Sequence, residues 1–248
     1  MTGRSTILLT CEHAGRILPR SLDDLGLPVQ EMDRHIAYDI GARELSRMLS
    51  EKLDAPLLMQ RYSRLVVDCN RPFDAADCFP EVSDGTLIPA NRSLSEEDRR
   101  ERYRHIHVPF HTAVGGAISA RSAAGFPVVL VSVHSFTRLM ASTGDVRTCD
   151  LGLLFNRDPR FSHALMDAIR VQASAIRVEF NKPYLVDDES DYTVPVHGEA
   201  GNIPHVLLEV LNNHIEGDAG QRCWADILAA ALEDAAVKTV GVSRIGRK

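Results

Sequence analysis

The sequence predicts a single α/β domain, with a mostly parallel, mixed central sheet and helices on both faces. Three observations lead there. Short apolar, β-branched runs alternate with stretches of helical periodicity, the pattern of parallel strands joined by crossover helices. The first run, Ile7-Leu8-Leu9, is continuously apolar, as a strand covered on both sides must be. The 248 residues show no linker that would divide them, and a chain of that length buries one sizeable core.

In chain order, a first strand over Thr6 to Thr10 ends abruptly in Cys11-Glu12-His13 and a turn-prone stretch reaching Pro19. "HIAYDIGARELSRMLSEKL" then sets Ile36, Ile40, Leu45, Met48 and Leu49 near one face at helical spacing. Strands are predicted over Ala55 to Met59 and Leu65 to Cys69. The Pro-, Asp- and Gly-containing region from Pro72 to Asn91 reads as a long loop, of the kind that is often functional in a compact domain. Ser95 announces the next helix, because its hydroxyl can accept free backbone N–H groups while Glu96, Glu97 and Asp98 suit the positive end of the dipole. Pro109 is expected to bend or divide that helix. A strand over Val128 to Val133, a helix over Ser162 to Ala173, a strand over His205 to Val210 and a helix over Ala219 to Val237 complete the domain, which spans residues 1–248. Residues 238–248, with Lys238, Arg244, Arg247 and Lys248, read as a flexible basic tail.

Composition narrows the function classes. A formal charge of −6 argues against a general nucleic-acid binder, and no apolar run approaches the roughly 18 residues of a membrane span. Cys11, Cys69, Cys78, Cys149 and Cys223 are odd in number and never spaced C-x-x-C, so a disulfide framework and a cysteine zinc knuckle are both disfavoured. Reduced thiols and the lack of a leader-like segment point to the cytoplasm. The oligomeric state is left open.

Four predicted strand ends finish in reactive residue types: Glu12-His13, Asp68 with Asn70-Arg71, His134-Ser135, and Glu209. In a parallel sheet these ends share one edge, where open α/β sheets hold ligands. Imidazole and carboxylate together suit a catalytic zinc site, with three protein ligands and one open position, although another divalent ion is compatible. Zinc would lower the pKa of bound water to about 7 and polarise a carbonyl, while a nearby carboxylate moves the water's proton to a leaving amine. Arg71 can grip a substrate carboxylate through parallel N–H bonds, and Asn70 can add a donor. The sum is an amide hydrolase for a carboxylate-bearing small molecule. Two other readings compete. Ser135 or Cys11 could be a nucleophile beside a histidine, but His134 and Ser135 face oppositely on an extended segment. A non-catalytic protein could use the Arg71 pocket to hold an acidic metabolite, leaving Glu209 without a role.

"CEHAG", "HIAYDIGA", "SRLVVDCNRP", "SVHSF" and "YTVPVHGEAGNIPHVLLEV", in this order, resemble the N-formylglutamate amidohydrolase family over most of the chain. That family is similar to zinc carboxypeptidases and to the succinylglutamate desuccinylase and aspartoacylase group, so the resemblance implies a zinc-carboxypeptidase-like (phosphorylase/hydrolase-like) fold. It implies that His13 and His134 are metal ligands, that Asn70 and Arg71 hold the substrate carboxylate, and that Glu209 is the general base. Arg64, in "SRL", becomes a second anion contact or an electrophile toward the oxyanion. Tyr192 and His197 match positions that would bind substrate, with His197 able to shuttle a proton. Carboxypeptidases place a Glu three residues after the first ligand, where this chain has Arg16, which cannot serve. Asp39 is read as the replacement, beside the small Gly41-Ala42 pair; His35 is its main competitor, followed by Glu12 and Asp33. One departure concerns specificity. Where family members often read Glu-Ile-Arg-Asn-Asp, this chain has Glu209-Val210-Leu211-Asn212-Asn213, so a different N-acyl amino acid is an expected substrate. The expectation is a metal-dependent amidohydrolase that cleaves a short N-acyl group, such as formyl, from a carboxylate-bearing amino acid.

Overall fold

The computed structural model of the chain describes residues 3–242 and 244. Its centre is a six-stranded sheet built from β1 (Ile7–Cys11), β2 (Leu57–Met59), β5 (Val129–Phe136), β6 (Leu151–Leu154), β7 (Val178–Phe180) and β8 (His205–Leu211), in the order β2-β1-β5-β8-β6-β7. All neighbours run parallel except β6, which is antiparallel to β8. The sheet is therefore mostly parallel and mixed, in one α/β domain. A separate hairpin joins β3 (Val82–Ser83) to β4 (Thr86–Leu87). Its Asp84-Gly85 turn has φ of 43° and 81°, the positive values that tight hairpin turns demand.

Helices cover both faces. Val129, Val131 and Val133 of β5, with Val206, Leu208 and Val210 of β8, pack under α1 (Ala42–Leu53), α4 (Arg160–Gln172) and α5 (Asp218–Val240). The alternate residues Leu8 and Leu130 face Ala117 of α3 (Val108–Ala123) on the opposite side. Between α2 (Glu96–Arg102) and α3 the chain passes through a π turn, Tyr103–His107, without leaving the helix. That turn accommodates Pro109, which has no N–H to donate to the carbonyl one α-turn back. Ser95 caps α2 as expected: its Oγ accepts the Asp98 N–H at 3.1 Å, and Asp98 accepts the Ser95 N–H at 3.3 Å.

Several sequence expectations need correction. Residues 65–69 form turns, not a strand. Leu65, Val66, Val67 and Cys69 are nonetheless buried, in a second apolar cluster with Leu25, Phe79, Ile88 and Phe110. Burial alone produced the apolar run, which periodicity cannot tell from a strand. The first long helix starts at Ala42 rather than His35, because Gly41 takes φ +78° and breaks helical geometry before it. Strands β6 and β7 are additions. The Pro72 to Asn91 loop contains the β3–β4 hairpin. Lys238 lies in the last turn of α5, and Arg244 bridges to Ser5 and pairs with Glu233 at 2.8 Å. Arg247 and Lys248 of the expected tail lie outside the described residues. Among the described residues no helix is long and apolar enough to cross a membrane.

Two glycines give opposite expectations. A Cβ on Gly41 would stand 2.1 Å from the Ile215 carbonyl oxygen at an already positive φ, whereas one on Gly116, inside α3, would meet nothing within 4 Å. Gly41→Ala should destabilise the fold by at least about 1 kcal/mol, and Gly116→Ala should stabilise it by about 0.5–1 kcal/mol, both read from denaturant midpoints.

Candidate metal centre and active-site cleft

Three buried side chains from separate segments meet where β1 and β5 leave the sheet. His13 lies two residues beyond the end of β1, His134 lies near the end of β5, and Asp39 sits in the turns before α1. The Asp39 N–H donates to the His13 carbonyl at 3.0 Å, which anchors that turn to the strand end. His134 Nδ1 is 2.8 Å from Asp39 Oδ2 and 3.2 Å from His13 Nδ1, and His13 Nδ1 is 3.4 Å from Asp39 Oδ1. One donor atom from each of the three residues lies within 4.8 Å of the others.

The far nitrogen of each imidazole meets a different carboxylate. His13 Nε2 is 2.7 Å from Asp68 Oδ1, and His134 Nε2 is 3.0 Å from Glu12 Oε2. This carboxylate–imidazole pairing orients the ring and raises the basicity of the nitrogen facing the centre, as it does around protein-bound metals. A further layer fixes the carboxylates. Ser132 and Thr193 donate hydroxyls to Glu12 at 2.7 and 2.8 Å, while Arg64 clamps Asp68 through Nε at 2.9 Å and Nη2 at 2.6 Å.

Burial opposes the charge of Glu12, Asp39 and Asp68, yet the imidazoles, hydroxyls and Arg64 outweigh it and hold all three carboxyls well below the usual range. Burial likewise disfavours charge on His134, but hydrogen bonds to Asp39 and Glu12 reverse the balance and raise its pKa well above that of free imidazole. A centre so rich in anionic charge, with both imidazoles pre-aimed, fits a divalent cation held by His13, Asp39 and His134. The competitors for the second position are elsewhere. Asp33 is exposed and paired with Arg16, His35 faces Asp84 at 3.3 Å, and Glu12 sits behind His134.

Glu209 lies beside this centre because β5 and β8 are in parallel register with His134 opposite Glu209. It is buried, its Oε2 has no hydrogen-bond partner, and desolvation pushes its pKa up to about 7. Together with His13, Asp39 and His134 it lines a cleft of about 660 Å³ whose wall includes Arg64, Asn70 and Arg71. Burial disfavours the Arg71 charge, but Asp68, Asp77 and Asp191 more than compensate and keep it a firm cation. Its Nε donates to Asp77 at 2.7 Å and its Nη1 to Asp191 at 3.3 Å. Asn70 is largely occupied: Oδ1 accepts the Thr193 N–H at 3.1 Å and Nδ2 donates to Asp191 at 3.0 Å.

Tyr192 and His197 are not brought to the cleft. The Asn70 amide turns residues 192 and 193 inward, so their neighbours pack behind the Cys69–Arg71 segment. The Tyr192 ring lies 4.5 Å from His107 and 4.3 Å from His111, and His197 Nε2 is 3.0 Å from His111 Nδ1. The helix residues His107 and His111 donate Nε2–H to the carbonyls of Arg71 and Cys69 at 3.0 and 2.6 Å, replacing the ladder bonds a strand would have supplied. Burial pushes both imidazoles down, to about 3 and about 4, so each is neutral with its one N–H committed. The nucleophile reading loses its geometry: Ser135 Oγ donates to the Ile40 carbonyl at 2.8 Å, and burial, chiefly, raises the Cys11 thiol well above its ordinary value.

The sequence profile of the N-formylglutamate amidohydrolase family matches residues 5–215. A gene product of Agrobacterium tumefaciens of known structure is similar with a TM-score of 0.90 and 34% identity, covering 95% of this chain and 92% of that one. An N-formylglutamate amidohydrolase from Ralstonia eutropha JMP134 is similar with a TM-score of 0.68 over 97% of this chain and 96% of that one; at 16% identity this likeness concerns the fold. No curated protein matches the sequence.

If the outer carboxylates orient the imidazoles for a cation, Asp68→Asn and Glu12→Gln should each weaken zinc binding by about 10–100-fold. Competition against a chromophoric chelator measures this, with circular dichroism confirming an unchanged fold.

Proposed function

The chain belongs to the N-formylglutamate amidohydrolase family, hydrolases that act on amide bonds, and on that premise we propose a metal-dependent reaction for it. The substrate is an amino acid that carries a carboxylate and a short N-acyl group, formyl being the simplest. Water divides the amide into the free acid and the free amine. The observation that carries this reading is the convergence of His13, Asp39 and His134 beside a carboxylate with an unpartnered oxygen.

A divalent ion such as zinc, held by those three residues, would supply Lewis acidity to the attacking water and to the amide carbonyl. Glu209 acts on the proton. Its buried carboxylate accepts it from the attacking water and delivers it to the nitrogen as the C–N bond breaks, so that no free amide anion forms. A nearby cation would favour the ionised form of Glu209, which a base requires. Arg64 stands at the edge of the centre with Nη1 3.7 Å from Asp39 Oδ1, where its charge opposes that developing on the carbonyl oxygen. Arg71 receives the substrate carboxylate, exchanging part of its pairing with Asp191, while Asn70 keeps the 191–193 segment in place. The five free cysteines support a reducing compartment such as the cytoplasm.

Three measurements test this. Purified protein should carry about one zinc, and chelation should abolish release of formate from N-formyl amino acids until zinc is returned; chelator-resistant turnover by metal-free protein would end the reading. Glu209→Gln should lower kcat by about 10²–10⁴-fold with the metal retained. Arg71→Ala should act mainly on KM, raising it by about tenfold or more, because a charged partner of the substrate is lost.

A further inference from the structure

We propose that His107 is a positioning residue for substrate binding: it holds the backbone of Arg71, so that the guanidinium keeps its place in the cleft when a substrate carboxylate displaces one of its partners. The inference rests on the amidohydrolase reading above, in which Arg71 receives that carboxylate, and adds a residue which that reading does not use.

Arg71 is fixed at its head and at its root. At the head, Nε donates to Asp77 at 2.7 Å and Nη1 to Asp191 at 3.3 Å. Both contacts are exchangeable, because Asp77 and Asp191 line the same cleft as the guanidinium and the Asp77 side chain is half-exposed. A substrate carboxylate competes with them on equal chemical terms, and whatever it wins loosens the head. The root is the peptide group that Arg71 shares with Pro72. His107 donates Nε2–H to its carbonyl at 3.0 Å, and a second contact to that oxygen is the weak thiol donor of Cys78 at 4.0 Å. The carbonyl carbon is bonded to the Cα from which the Arg71 side chain springs, so fixing this peptide plane fixes where the side chain starts.

The imidazole has no other polar task. His107 is wholly buried, stacked on Tyr103 with ring centres 3.8 Å apart and meeting Tyr192 edge-on at 4.5 Å. Burial keeps the ring neutral, so one nitrogen carries its only N–H proton, and the Arg71 carbonyl requires that it be Nε2. Nδ1 has no hydrogen-bond partner among the described residues. An apolar ring would fill the same space without leaving a buried acceptor unpaired, so packing gives no reason for an imidazole here and the bond at Nε2 does. Helical register delivers it. Tyr103, His107 and His111 are four residues apart on the helix that runs through the π turn, and they present successive rings on one face, with His107 and His111 at 4.3 Å. His111 holds the Cys69 carbonyl at 2.6 Å, so the two donors pin the backbone on both sides of Asn70.

The test is steady-state kinetics of the zinc-saturated protein on N-formyl-L-glutamate, beside calorimetric binding of the same compound to zinc-loaded Glu209→Gln protein. His107→Phe, which keeps the stacked ring and removes the N–H, should raise KM about fivefold or more while kcat stays within about twofold. Calorimetry should show the same loss of affinity. His107→Gln, whose amide can still donate to the Arg71 carbonyl, should recover most of it. In Arg71→Ala protein the Phe substitution should change KM by less than about twofold, because no guanidinium is left to aim. Cys78→Ala should leave KM unchanged. Should the Phe variant unfold by circular dichroism, His107→Leu must give the same split. A fall in kcat in place of the rise in KM, a Gln variant as weak as Phe, a loss undiminished without Arg71, an equal loss in Cys78→Ala, or no binding of N-formyl-L-glutamate by the parent overturns the proposal. Binding that depends jointly on His107 and Arg71, with no turnover by the unsubstituted zinc-saturated protein, upholds the positioning role and removes the enzymatic reading.

Discussion

Buried negative charge is the constraint on which this molecule is organised. Glu12, Asp39 and Asp68 are ionised out of contact with water, and each isolated carboxylate there would cost several kcal/mol. Two imidazoles and Arg64 offset that cost only because every partner arrives at hydrogen-bond distance. The arrangement tolerates no vacancy. Ser132 and Thr193 saturate the lone pairs of Glu12 that His134 does not reach, and a half-satisfied network would be worse than an apolar one. Positive charge added at the centre completes the balance, so the same electrostatics that stabilise the fold favour a cation.

The sheet is the instrument that meets this demand. Parallel β1, β5 and β8 bring His13, His134 and Glu209 to a common edge, and the register of β5 against β8 sets Glu209 beside the second imidazole without any loop to position it. Asp39 is different, since it comes from turns. Its placement depends on Gly41, whose left-handed backbone lets the chain approach Ile215 and start α1 one residue later.

What could be read from the sequence followed from this division. Strand ends were legible because apolar runs stopped at reactive residues, and so His13, His134 and Glu209 could be brought together from periodicity and topology. Arg71 was legible at the same strand ends, and the resemblance to a family supplied the choice of Asp39. Glu12 and Asp68 were visible as residues but not in role, because which nitrogen of a ring a carboxylate holds depends on rotamers. The Leu65 to Cys69 run misled for a physical reason: a buried turn needs the same apolar side chains as a strand. Side chains satisfy its carbonyls in place of a ladder: Asn91 at Leu65, Arg102 at Val66 and His111 at Cys69. Tyr192 and His197 went the same way, toward the imidazoles behind Asn70 and away from the cleft.

That short turn joins two jobs in one piece of backbone. Asp68 steadies the ring of His13 and accepts the Asn70 N–H at 2.8 Å, and three residues on from Asp68 stands the guanidinium assigned to the substrate. On the proposed chemistry, cation and substrate would grip opposite ends of a single lever, and thermodynamic reciprocity would make the tightening of one a gain for the other by an equal factor. An enzyme working in that way would hold its ion most firmly when there is something to hydrolyse.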